Sequence, residues 1–153
     1  MKKQQSGFTL VELIMVIVVL GILAAFALPR FADFGGQARV AAVEGLAGAL
    51  RSAASIAHAR QLANNGVPTD SVTLEDQSIT MVGGFPTADS AGIVLAAQVD
   101  GFTPTGGGTT ATSTITFTPD GYTPSTGTKC EVTYTPVPTA GAERVVAEVG
   151  GCQ

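Results

Sequence analysis

Apolar and polar positions divide this chain into stretches of different period. From Phe8 to Leu28 an apolar run of about 21 residues is broken by one charge, Glu12; as a helix it would measure roughly 31 Å, close to the hydrocarbon thickness of a bilayer. Lys2 and Lys3 stand before it, so the positive-inside rule keeps that short end in the cytoplasm and everything after Pro29 outside. Beyond Gly36, the residues Val40, Val43, Ala47, Leu50, Ala54 and Ala57 recur every three or four positions, the stripe of an amphipathic helix that needs a sheet as its mate. Pro29 lacks an amide donor and crowds the preceding turn, which predicts a helix bend there, with Gly21 and Gly35-Gly36 as further weak points. Asn64-Asn65-Gly66 and then Pro68 end the helix. A helix from Phe8 to Asn64 would be about 85 Å long. No compact domain of this size can enclose it, so its N-terminal half requires lipid or other subunits.

After Asn65 the period shortens. Thr114 to Thr118, Cys130 to Tyr134 and Arg144 to Val149 alternate as half-buried strands, with Ile115, Phe117, Val132, Tyr134, Val145, Ala147 and Val149 directed at the helix stripe. Pro119-Asp120-Gly121 and the segment from Pro136 to Gly141 supply turns. The expected fold class is α+β: a long N-terminal α-helix packed by its C-terminal half on an antiparallel β-sheet. Residues 67 to 112 are harder to read. Val72 to Leu74 and Ile79 to Val82 suit short strands, Ala88 to Gln98 fits helix or extended chain, and the Gly- and Thr-rich Thr103 to Ser113 reads as a solvated loop, with O-glycosylation as the alternative.

Composition narrows the function. The 153 residues are one domain's worth, 45% hydrophobic and 13% charged, with a formal charge of -4 that offers no electrostatic footprint for nucleic acid. Cys130 and Cys152 both fall in the exported part, where an even pair reads as a disulfide; two free thiols are the alternative, and a lone His argues against zinc. No HExxH, P-loop or GxSxG occurs, so no catalytic residue, cofactor or metal site is nominated. Asp70, Glu75 and Asp76 read as a solvated acidic loop before they read as Ca²⁺ ligands. Glu44, Arg51 and His58, spaced by sevens, read as a polar edge facing solvent or another subunit.

The apolar start invites two readings. An ordinary secretory signal would be cleaved near Ala25-Phe26-Ala27 and discarded. A disposable segment has no use for Glu12, which costs about 2.5 to 3.5 kcal/mol within an inserted helix. Gly7-Phe8-Thr9-Leu10-Val11-Glu12, with basic residues before it and an apolar helix after it, resembles the prepilin signature of type IV pilins and type II secretion pseudopilins. That resemblance implies a leader of residues 1 to 7, cleavage between Gly7 and Phe8 by a prepilin peptidase, and N-methylation of Phe8. It divides the rest into a membrane-spanning and polymerising helix over 8 to 28, the remainder of the long helix over 29 to 65, and a globular head over 66 to 153. It also assigns Glu12 to assembly: the amine freed at Phe8 of an incoming subunit neutralises the carboxylate of one already in place. Within one helix the same two groups are neighbours at i and i+4.

Gly83-Gly84-Phe85-Pro86-Thr87-Ala88 with Gly92-Ile93 further looks like the glycine-aromatic-proline turn of pilins of the mannose-sensitive haemagglutinin type. The implied function is structural: a homo-oligomeric helical filament built by inner-membrane assembly machinery, first a single-pass inner-membrane protein and then an extracellular pilus used in adhesion, motility or DNA uptake. The alternatives are a major pseudopilin of type II secretion and a membrane-anchored exported binding domain.

Overall fold

The computed structural model describes residues 8–137 and 139–153, with side chains described outside 27–33. Gly7 and the side chain of Pro29 lie outside the described residues. The chain forms two compact units, Met1–Gly36 and Gln37–Gln153. Helix α1, Leu10–Ala63, is 54 residues long and contributes to both.

In the second unit α1 buries one face. Val43, Ala47, Leu50, Ala54 and Ala57 of the expected stripe are buried together with Leu46 and Ala53. The opposite face carries Gly45 and Gly48, each about 1 kcal/mol worse than Ala inside a helix. The helix closes with a Schellman arrangement: Asn65, at φ 51°, takes the left-handed position, its N–H donates to Leu62 O at 3.2 Å, and Gly66 N–H donates to Gln61 O at 3.4 Å.

Two short hairpins follow. The first joins β1 (Val72–Leu74) to β2 (Gln77–Ile79) through Glu75 and Asp76, both at positive φ. The second joins β3 (Met81–Val82) to β4 (Phe85–Pro86) through Gly83 and Gly84 at φ 58° and 86°, the two-residue turn whose twist matches paired strands. The single strand expected over Ile79 to Val82 is therefore two, parted at Thr80. Ala88 to Gln98 holds one short helix, α2 (Ile93–Ala96).

The main sheet is an antiparallel meander, β5 (Phe102–Gly106), β6 (Ile115–Pro119), β7 (Glu131–Tyr134) and β8 (Val145–Glu148), paired in that order. Register places Ile115 opposite Tyr134, Phe117 opposite Val132 and Tyr134 opposite Val145, so the alternating apolar positions form one buried layer against α1. Strand β5 takes Thr103 to Gly106 out of the loop expected at Thr103 to Ser113. Only Phe102 of the strand is half-buried and the rest is exposed, so it carries no aliphatic alternation, and an edge position tolerates Pro104 because its open side needs no donor. Behind β5, Gly107 at φ 97° lets the backbone approach Ala88, whose carbonyl would lie 2.3 Å from an added Cβ.

The Gly-Phe-Pro segment is a hub of the head. Phe85 stacks on His58 with centroids 4.3 Å apart and takes the Arg144 guanidinium 3.4 Å from its centroid. His58 Nδ1–H donates to Gly84 O at 2.7 Å, and Arg51 donates to Val145 O at 3.0 Å. Of the polar edge expected of Glu44, Arg51 and His58, Glu44 and Arg51 are exposed, Arg51 with its guanidinium bonded to β8, and His58 is half-buried against the β3–β4 turn. Fully buried Tyr134 donates its hydroxyl to Pro86 O at 2.7 Å.

Burial raises the Tyr134 pKa above its ordinary 10.0, because the phenolate would lose its hydration. The neutral form is the folded one, so this contribution to stability is present below about pH 10 and is lost as pH rises through the raised value. Tyr134→Phe leaves the buried Pro86 carbonyl unpaired and is expected to cost about 1 to 3 kcal/mol in chemical denaturation at pH 7. The difference between wild type and variant should shrink above pH 10.

Candidate assembly site

The first described residues combine an apolar surface with one carboxylate. Every large apolar side chain from Leu10 to Phe26 is between 46% and 77% exposed, and Phe8 is 81% exposed. Apolar surface on this scale does not stay in water. Phe34–Ala63 also has the length and composition of a membrane span, but its apolar face is the core of the head, whereas the face of Leu10–Phe26 has no cover in its own unit. Leu10–Phe26 is an apolar helix whose surface stays uncovered within its unit.

Glu12 sits where the helix begins. Thr9 N–H and Thr9 Oγ1 both reach Glu12 Oε2, at 3.1 and 2.8 Å, while Glu12 N–H donates to Thr9 Oγ1 at 3.3 Å. This is a reciprocal capping box, which satisfies amides that a helix start otherwise leaves unpaired. The Thr-x-x-Glu spacing announces it in the sequence, and the reading by i, i+4 partners alone passes over it. The carboxylate retains acceptor capacity beyond these bonds.

At the other end of the chain, Cys130 and Cys152 form the expected disulfide, with Cα atoms 4.8 Å apart. A clasp surrounds it. Tyr122 donates its hydroxyl to Gly151 O at 2.7 Å and reaches Gln153 O at 2.9 Å, while Arg39 of α1 donates to Cys152 O at 2.8 Å and lies 4.0 Å from the Tyr122 ring centroid. No local pattern marks Arg39 and Tyr122, because only the fold brings them together. Lys129, exposed at the base of β7, bonds Glu148 at 2.8 Å and Glu131 at 2.9 Å, and these two carboxylates hold its pKa up.

Among the described residues no group of three His, Cys, Asp or Glu gathers as metal ligands. Asp70 accepts from Val67 N–H at 3.0 Å, and Glu75 accepts from Gln98 at 2.8 Å.

Comparison with known proteins fits this geometry. The family described as the prokaryotic N-terminal methylation motif matches residues 2–28. The type IV narrow pilus major component PilA5 of Thermus thermophilus is 41% identical over 114 residues, covering 72% of this chain and 96% of that protein. This chain belongs to the type IV pilin family. The type IV major fimbrial protein FimA of Dichelobacter nodosus is 37% identical over 83 residues, 54% of this pilin and 47% of its own length. A fimbrial protein of Pseudomonas aeruginosa is 36% identical over 70 residues, 44% of this pilin and 46% of the relative. No solved structure matches. The pilin fold is the α+β arrangement expected from the sequence, a long apolar helix followed by antiparallel sheets.

The disulfide closes a separation of 22 residues, which is worth about 3 kcal/mol in the chain-entropy account. Cys130→Ser with Cys152→Ser should lower the denaturation free energy of the pilin by about that amount. Adding reductant to the wild type should reproduce the loss and leave the double variant unchanged.

Proposed function

We propose that this pilin is made as a precursor, cut between Gly7 and Phe8 by a prepilin peptidase, N-methylated at Phe8 and held in the inner membrane by residues 8 to 28. Assembly machinery then polymerises it into an extracellular pilus of which it is a structural subunit. The observation that carries this reading is the uncovered apolar surface from Leu10 to Phe26, joined to a methylation motif over residues 2–28. Lipid covers that surface first. Copies of the same helix cover it afterwards.

Glu12 sets the register in this account. The carboxylate is tolerable near the membrane face but costly deeper in apolar surroundings unless a cation meets it. The amine at Phe8 of an incoming subunit supplies that cation. Thr9 holds the carboxylate in place at the first turn, so it does not have to be ordered when the partner arrives.

Mass spectrometry of sheared surface filaments should find this chain beginning at N-methylated Phe8. A mature chain beginning near Leu28 would instead mean a discarded signal and end the proposal. Glu12→Ala should still be processed and inserted, while filament yield drops by at least tenfold, since stranding one member of a buried pair costs about 3 to 5 kcal/mol.

A further inference from the structure

We propose that the cavity between α1, the β1–β2 hairpin and α2 is a binding site for a small amphiphilic amine, with an apolar body inside the cavity and an ammonium head at Glu75. The site needs only the folded head and is independent of the pilus reading above. The cavity measures about 400 Å³, within the range of about 300 to 1,000 Å³ that holds small organic ligands. Its wall is mainly apolar: Ala53 and Ile79 are buried, and Leu74 and Leu95 are half-buried beside them. A hydrocarbon or aromatic body gains by leaving water there.

The polar part of the wall selects the rest of the ligand. Glu75 is its one charged residue, and the other polar members are Ser52, Gln77 and Gln98. Gln98 Nε2 donates to Glu75 Oε2 at 2.8 Å, which ties the hairpin turn to the end of α2 and uses a donor of that amide. What remains at the rim is rich in acceptors, a carboxylate with further lone pairs and the Gln98 carbonyl oxygen, and the wall holds no cation to meet them. An ammonium brings three donors and a positive charge to that set. A carboxylate or phosphate head would be repelled by Glu75, and Asp76 beside it adds to the negative field. Arg60, one turn of α1 beyond Ile56, is outside the lining.

The backbone at the rim points the same way. Glu75 and Asp76 make a two-residue hairpin turn at φ 47° and 62°, and Gln98 has φ 49°. Left-handed backbone of this kind is least costly for Asn-Gly, and a long acidic or amide side chain does nothing to ease it. Among the described residues, Asn65 at the helix cap is the one other non-glycine residue with positive φ. Both members of the Glu75–Gln98 pair therefore stand on unfavourable backbone, and the result is a carboxylate held beside an apolar hollow.

The test titrates full-length, detergent-solubilised pilin, isotope-labelled for NMR, with phenethylamine, phenethyl alcohol and hydrocinnamate, which share a ring and differ in charge. The amine should shift the amide signals of Leu74, Leu95 and Ala97 saturably, and the alcohol should bind about fivefold more weakly, the size of one partly exposed charge contact. Hydrocinnamate should bind more weakly still. Glu75→Gln, which can keep the bond to Gln98, should bring the amine down to the level of the alcohol. Ala49→Leu, which fills the cavity from the exposed face of α1, should remove binding of both, and each variant should melt as the wild type does. Signals that move only in Leu10–Phe26 would mean partition into the micelle, and equal binding of the amine and hydrocinnamate would mean no selection by charge. Cavity signals that shift with pilin concentration alone would mean that a second copy fills the hollow. Any of these outcomes overturns the amine site and leaves the pilus reading untouched.

Discussion

An apolar helix that its own subunit cannot cover governs the rest of this molecule. Hydrophobic surface from Leu10 to Phe26 is exposed on every side of the helix, so no rotation hides it. The free energy at stake, about 25 cal/mol for each Å² left in water, is far larger than a head of this size can offset by its own stability. The pilin is consequently a protein of two surroundings, lipid before assembly and other subunits after it. The hydrophobic effect alone is indifferent to register. In the proposed assembly a single carboxylate near one end would supply direction, because it would have one favourable partner position and many costly ones.

The head has to stay folded through both stages, and it spends its cations internally. Arg39 reaches the C-terminal segment, Arg51 reaches β8, Arg144 lies on Phe85, and Lys129 bridges two glutamates. With these cations engaged inside the subunit, an acidic exterior is what remains, consistent with the sequence pI of 4.7. Such a surface limits indiscriminate contact between heads and leaves the apolar helix as the driver of association. The disulfide and the Tyr122 clasp hold the last residues to α1 and β7. Without them that segment would be held mainly by short backbone contacts.

Helix chemistry links the two tasks. The Thr9–Glu12 capping box fixes the first turn, and the same glutamate is the group a neighbouring amine would meet. At the other end the Asn65 cap stops the helix where the hairpins begin.

Much of this was legible in the chain itself. The apolar run, its lone acid and the residues before it are local patterns, and local patterns survive without knowledge of the fold. The same holds for the stripe from Val40 to Ala57 and for the alternation in β6, β7 and β8, since burial on one face imposes a period. Tertiary structure alone decided the others. β5 pairs through Thr, Pro and Gly because β6 offers it an edge, and its own residues give no strand period. His58 reads as a solvated edge until the Gly-Phe-Pro turn closes over it, and Arg51, exposed as expected, gains its partner on β8 only from the fold. Arg39 and Tyr122 meet only because the disulfide returns the chain end to α1. In each case the deciding partner is distant in sequence, and a contact between distant residues leaves no periodic trace in either segment.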